Sequence, residues 1–406
     1  MTARRRVMYF TICSIPDGIQ ENGGNLYARN NILRLHQDAG IDLHVLVLNQ
    51  ESGRESTEAY FRKLGIPHQF IAFRTSSIPA VRPRGLLNRL RYRCNFPGER
   101  ESDQQPHVSA LAEQALHSWS IDYVLVDYLY AVPYWKNLLK LSIEKAIITP
   151  NREAEMYGEL LRLGKTGHGP VRGWIAHRRF ERFEKSVYRA FSKVITIGRP
   201  DIPGYLDDRK TACITPFLDP AATQWKISDS RNVFFVGALE HYPNQLAIEY
   251  ISRQLAPHVS KRMPDARFQI IGASSDEVPA DWRHSSVQFL GRADRAQVQR
   301  LYTGCRLFIC PVKNNYGMKF KVAEALSYGT PFLASPETML CVPYLTGQPV
   351  VPLDDPQTAA NEVCRLLKSD DALQQLQQTI SEKHCRFTSS QKNVWSRTLF
   401  GNSAEL

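Results

Sequence analysis

The stretch NNYGMKFKVAEALSYGTPFLAS, Asn314 to Ser335, decides how the second half of the chain folds. A helix is expected from about Met318 to Ser327, stopped by Gly329 with Pro331 beyond, which is the order of residues at helix ends. The apolar runs LFICPV before it and PFLAS after it read as core strands. Gly317 precedes the helix, where unpaired amides and the helix dipole favour an anion. Lys319 and Lys321 add two cations, and Glu324 falls one turn after Lys321 on the same face. Amides and cations suit a phosphate, whereas a carboxylate suits a ribose diol. An exposed Lys–Glu pair on an ordinary helix is the competing reading; the segment's place between core strands weighs against it.

Working outward, short apolar strands alternate with helical patterns along the whole chain, which argues for parallel sheets covered by helices on both faces. In the first half RVMYFTIC, DLHVLVLNQ, HQFIAF, DYVLVDY, KAIIT and KVITIG read as strands, with helices near 24–39, 108–118, 131–140, 152–162 and 172–191. The pattern pauses near Tyr205 and restarts with NVFFVGA, RFQIIGA, VQFLG, RLFICPV, PFLAS and VVPL. Two α/β, doubly wound, Rossmann-like domains facing across a cleft are therefore expected, over 1–205 and 206–375. Residues 376–406 read as helices that need a surface for Trp395 and Phe400.

Composition narrows the class. At 406 residues, 43% of them hydrophobic, the chain can fill two cores. No run of eighteen apolar residues occurs, so a non-spanning, cytoplasmic protein is expected. Eight scattered cysteines form no C-x-x-C pair, and eleven histidines show no metal-ligand spacing, so no metal is expected. Lysine and arginine number 51 against 40 acids, a net charge of +11. RPRGLLNRLRYR, 82–93, concentrates five arginines with interleaved leucines and no acid. It reads as a solvated basic surface or as an edge lying on an anionic membrane. With no nucleic-acid reading module in sight, a nucleic-acid partner is disfavoured.

Ligands in such sheets gather at the carboxyl ends of strands. Gly23 and Gly24 open a helix after the first strand and can admit a phosphate or simply make a turn. Gly237, Gly272 and Gly291 each end a strand in the second half, and Arg292 adds a charge there. Asp127 ends the strand DYVLVDY, where it can take a proton, bind a hydroxyl or cap the next helix. Asn151, Arg152 and Glu153 occupy the next strand end. Neither G-x-G-x-x-G, a Walker loop nor G-x-S-x-G occurs, which disfavours dinucleotide, P-loop and serine-hydrolase chemistry.

Taken together, FFVGALEHYPNQLAI, PDARFQIIGA, VQFLGRADRAQVQRLYTGCRLFICPV, GMKFKVAEALSYGTPFLAS and DDPQTAANEVCRLL resemble the donor domain of the GT-B glycosyltransferases, in particular the retaining, family 4-like bacterial sugar transferases. NGGNLYARN, DYVLVDYLYAVPYW, TPNREAEMYGELL and RFEKSVYRAFSKVITI resemble the acceptor domain more loosely. The resemblance implies a nucleoside-diphosphate sugar as donor substrate and no other cofactor. It implies Glu324 on the donor ribose, Gly317 and Met318 near the sugar and phosphate, Lys319 and Lys321 on the diphosphate, and Gly24 touching phosphate. Gly237, Arg292 and Tyr316 complete the expected donor site, and Asp127 and Lys319 are the expected catalytic pair. It also implies final helices that cross back to the first domain.

The sequence departs from the family at three places, one of them Asn151, where many relatives carry a histidine. Tyr316 stands where the first of two paired glutamates is usual, and GALEHYPN offers His241 in place of the usual Arg and Lys. The implied acceptor is a lipid-linked saccharide of envelope or exopolysaccharide synthesis, with 82–93 at the inner face of the plasma membrane. A transferase for a soluble acceptor, a non-catalytic sugar-nucleotide binder and a GT-B epimerase are the alternatives.

Overall fold

The computed structural model describes residues 4–13, 23–73, 96, 99–103, 105–313, 319–345, 347, 352 and 354–401. Tyr316, Gly317 and Met318, the basic segment 82–93 and most of VVPL lie outside the described residues. Two compact units account for the chain.

The first unit holds seven parallel strands: β1 Arg5–Thr11, β2 Ile41–Asn49, β3 His68–Ala72, β4 Tyr123–Asp127, β5 Glu144–Thr149, β6 Lys193–Thr196 and β7 Thr211–Cys213, in the order β3-β2-β1-β4-β5-β6-β7. Continuous apolar runs make these strands because helices cover both faces of the sheet. Val7, Met8, Tyr9 and Phe10 are wholly buried in β1, and Val124, Leu125 and Val126 in β4. Each such apolar side chain contributes roughly 1.5–3 kcal/mol. The strand order turns back between β1 and β4, which register Val7 on Tyr123 and Phe10 on Val126.

The second unit repeats the plan with β8 Asn232–Val236, β9 Arg267–Ile271, β10 Val287–Phe289, β11 Leu307–Cys310 and β12 Phe332–Ala334, ordered β10-β9-β8-β11-β12 and again all parallel. Its order turns back between β8 and β11.

Two expectations are revised. The helix expected over 131–140 is instead a pair of tight turns, Leu129–Tyr134 and Leu138–Lys140. Pro133 removes a donor there, and Tyr128 enters with φ of 73°, outside helical geometry. The unit boundary falls at Ile214/Thr215, and the second unit runs to Lys392. Helix Asp370–Ser390 stays with the second unit because Leu373, Leu376 and Ile380 enter its core. Helix Val394–Phe400 belongs to the first unit. There Trp395 is buried, Phe400 meets Tyr123 edge-on at 5.4 Å, the Arg5 guanidinium lies 4.7 Å from the Phe400 ring, and Ser396 N donates to Asp38 Oδ2 at 2.8 Å.

Candidate functional site

In the second unit the site grows from strand-end glycines. Gly237 N donates to Ile271 O at 2.9 Å, Leu239 N to Gly272 O at 2.8 Å, and Gly272 N to Gly291 O at 2.8 Å. These bonds join the ends of β8, β9 and β10 into one rim. Gly272 has φ of +97°, and a Cβ there would collide with the Gly237 carbonyl oxygen. A Cβ on Gly237 would lie 2.7 Å from Asn244 Cγ, so the bare backbone is what lets Asn244 fold against the rim. Arg292 stands at this rim, exposed and paired with Glu240 at 2.9 Å.

Across the switch point, β11 leads to helix Phe320–Ser327. Ser335 Oγ and Thr338 Oγ1 both donate to Val312 O, at 2.6 and 3.2 Å, and pin the start of the connection. The helix stops as its sequence dictates: Gly329 takes φ of +65°, and Thr330 N donates to Ala325 O at 2.8 Å. Lys319 occupies the position before the first turn and is nine-tenths buried.

Lys321 projects from that turn to donate from Nζ to Asn244 Oδ1 at 2.6 Å, with its amine 4.5 Å from the centre of the Phe235 ring. Burial pulls its pKa down to about 8; Cys310 and Glu324 oppose the shift and Lys319 adds to it. His241 is likewise held below its ordinary range by burial and by the two lysines. Glu324, one turn on, receives the Tyr302 hydroxyl at 3.5 Å, and the same hydroxyl donates to Lys321 O at 2.9 Å. Thus Gly237, Lys319, Lys321 and Glu324 come together at one switch point, joined by Asn244, His241, Phe235 and Tyr302. Of these four additions only His241 stood out in the sequence. Asn244, Phe235 and Tyr302 carried no local signal, since each is defined by its packing across the sheet.

The first unit presents its own switch point. Asp127, at the end of β4, is fully buried, and Thr11 Oγ1 at the end of β1 donates to its Oδ2 at 2.9 Å. Tyr9, wholly buried in β1, also faces this carboxyl, as does Cys13. Burial raises the Asp127 pKa to about 7, with Thr11, Tyr9 and Cys13 opposing. Tyr128 follows directly with its positive φ, a conformation that costs a tyrosine about 1–3 kcal/mol and that clusters at functional sites. Helix Gly23–Gln37, in whose first turn Gly24 lies, supplies buried Tyr27 and Asn31.

A second buried carboxyl follows β5. Glu153 accepts from Tyr130 Oη at 2.8 Å and Asn151 Nδ2 at 3.1 Å, and burial raises it to about 7. Beside it a pocket of about 510 Å³ is lined in part by Arg152, Arg162, Trp174, His177, Glu184 and Tyr205.

Residues 230–369, which span both the glycine rim and helix Phe320–Ser327, match the family described as Glycosyl transferases group 1. The second unit is a group 1 glycosyltransferase domain. The fold of the whole chain is that of GT-B glycosyltransferases. Sucrose-phosphate synthase from Thermosynechococcus elongatus is similar in structure with a TM-score of 0.65 at 15% identity, over 98% of this chain and 99% of that one. HepE from Anabaena, solved with UDP and glucose, gives 0.63 at 13% identity over 99% of each chain. A TarM variant from S. aureus, solved with fondaparinux, α-GlcNAc-glycerol and UDP, gives 0.66 at 11% identity over 98% of this chain and 100% of that one. No curated protein matches the chain in sequence. Among the described residues of the glycosyltransferase domain and of the first unit, no cluster of three metal-ligating side chains occurs. No helix among the described residues is long and apolar enough to cross a membrane.

Proposed function

We propose that this protein transfers a sugar, with retention of anomeric configuration, from a nucleoside-diphosphate sugar to an acceptor hydroxyl. The observation that carries this reading is Lys321, an enclosed ammonium held by Asn244 at the start of a helix, with Lys319 before it and Glu324 one turn behind. A diphosphate placed there meets a helix dipole and two cations in a low-dielectric setting, where fixed charges stabilise a leaving group most. Glu324 accepts the ribose hydroxyls. His241 is neutral at physiological pH, so Lys321 and Lys319 supply the positive charge that the loop after β8 lacks. Gly317, Met318 and Tyr316 belong to this donor site by their place in the sequence, and Arg292 extends it once freed from Glu240.

Asp127 is the acceptor-side carboxyl, able to hold or release a proton near neutral pH, and the departing phosphate takes the acceptor's proton. Lipid-linked saccharide is the acceptor class favoured, in bacterial envelope or exopolysaccharide synthesis. Uridine is the first base to test, because HepE and the TarM variant were each solved with UDP.

A panel of UDP-, GDP- and TDP-sugars, read by thermal shift and then by product analysis, tests the proposal. Donor hydrolysis or transfer supports it. Tight binding without turnover would point to a sugar-nucleotide binder, a changed free sugar to an epimerase, and no stabilisation by any donor would remove the reading.

A further inference from the structure

We propose that the outward face of helix Pro170–Ala190 in the first unit docks this protein on an anionic lipid membrane. The helix buries Gly173, Ala176, Phe180, Glu184, Val187 and Tyr188, spaced three and four apart along one side. The opposite side divides in two along its length. Its first turns carry Val171, Trp174 and Ile175, which are 72%, 58% and 36% exposed. With Leu163 just before the helix, they are four of the seven exposed large apolar side chains among the described residues.

The later turns of the same side carry Arg178, Arg182, Lys185 and Arg189, all exposed. Glu181 is the one acid beside them, and it pairs with Arg178 at 3.2 Å. The Arg178 guanidinium also lies 5.9 Å from the Trp174 ring. A shallow groove of about 360 Å³ on this face is lined by Trp174, Ile175, four basic side chains between Arg178 and Lys185, and Glu181.

Exposed tryptophan, valine and isoleucine are unfavourable in water but settle at the boundary between headgroups and acyl chains, and adjoining arginines and lysine attract anionic headgroups. Four exposed cations beside one acid that is itself paired are the charge complement of an anionic headgroup layer. The 21-residue helix is about 30 Å long, so it lies flat along a bilayer surface and presents both parts at once. This surface does not depend on the donor assignment, since vesicle binding needs no nucleotide.

The test is co-sedimentation of the full chain with vesicles of phosphatidylglycerol and phosphatidylcholine, against phosphatidylcholine alone, with nucleotide binding followed in parallel. Binding to the anionic vesicles that weakens with salt is expected. Val171→Ser/Trp174→Ser/Ile175→Ser and Arg182→Glu/Lys185→Glu should each weaken it about tenfold or more while melting temperature is unchanged. Trp174 is the only exposed tryptophan of six, so brominated lipid should quench the chain's fluorescence, and Trp174→Phe should lose that quenching while still binding. Equal affinity for neutral and anionic vesicles, no binding to either, or wild-type binding by both multiple variants would overturn the proposal. So would a concentration-dependent dimer that the triple variant abolishes, which would make the face a contact between copies.

Discussion

Lys321 makes the proposed donor site pH-sensitive in a direction that can be worked out beforehand. With its pKa near 8, the amine is about 0.9 protonated at pH 7 and about 0.09 at pH 9. If the ammonium form is the one that holds a diphosphate, affinity for UDP falls about tenfold across those two units, or about 1.4 kcal/mol. The nucleotide's own terminal phosphate is already ionised above pH 7, and His241 is neutral throughout, so neither masks the effect. Lys321→Met should weaken UDP about 10- to 100-fold at pH 7, the value of a charge-assisted hydrogen bond of about 1.5–3 kcal/mol. It should also flatten the pH dependence.

Isothermal titration calorimetry from pH 7 to 9, in two buffers of different ionisation enthalpy, reads both quantities. Near pH 8 wild type should take up about half a proton on binding, and Lys321→Met none. Without ligand the sign reverses. The folded pKa lies below the unfolded one, so between about pH 8 and 10.5 the unfolded chain holds the extra proton and this site gains stability as pH rises. Wild-type affinity that stays level from pH 7 to 9 without proton uptake would refute the assignment of Lys321 to the diphosphate. The same conclusion would follow if Lys321→Met kept the wild-type slope.

Other predictions bear on neighbouring residues. Glu324→Ala should weaken UDP by about 10- to 100-fold yet leave affinity for 2′-deoxy-UDP less affected, which competition binding can resolve. Gly237→Ala should push Asn244 away from Lys321 and cost about 1–3 kcal/mol of stability together with UDP affinity; urea melts that match wild type would contradict the packing described. Asp127 is the reverse case from Lys321: its folded pKa is raised, so its ionisation lowers stability as pH rises from about 4 to 7, and Asp127→Asn should remove that decline while reducing transfer. Trp395→Ala, truncating a fully enclosed indole, should destabilise the first unit by about 3–5 kcal/mol in chemical denaturation.

Much of the fold was legible because a strand covered on both faces writes itself as an unbroken apolar run, as MYF in β1 and VLV in β4 show. Elements that bury little escaped notice. Helix Arg54–Leu64 sinks only Thr57 and Phe61, and β7 is three partly exposed residues at a sheet edge. In the candidate site, Lys321 and Glu324 could be read from spacing within one helix, because side chains three apart share a face. Asn244 could not: it reaches Lys321 from 77 residues away, through a gap that exists because Gly237 has no side chain. Thr11 likewise meets Asp127 across 116 residues, a pairing set by the parallel neighbours β1 and β4.

The division of the chain between its units also sets an order of events during synthesis. Thr215–Lys392, 178 residues, intervene before Val394–Phe400 returns Trp395 to the core of the first unit. At about 5–20 residues per second, a ribosome needs roughly 10–35 seconds to make them. Throughout that interval the strands made first wait with the site for the Trp395 indole unfilled. The first unit to be translated is thus the last to be completed, and a chain halted at Lys392 would carry a finished second unit beside an unfinished first.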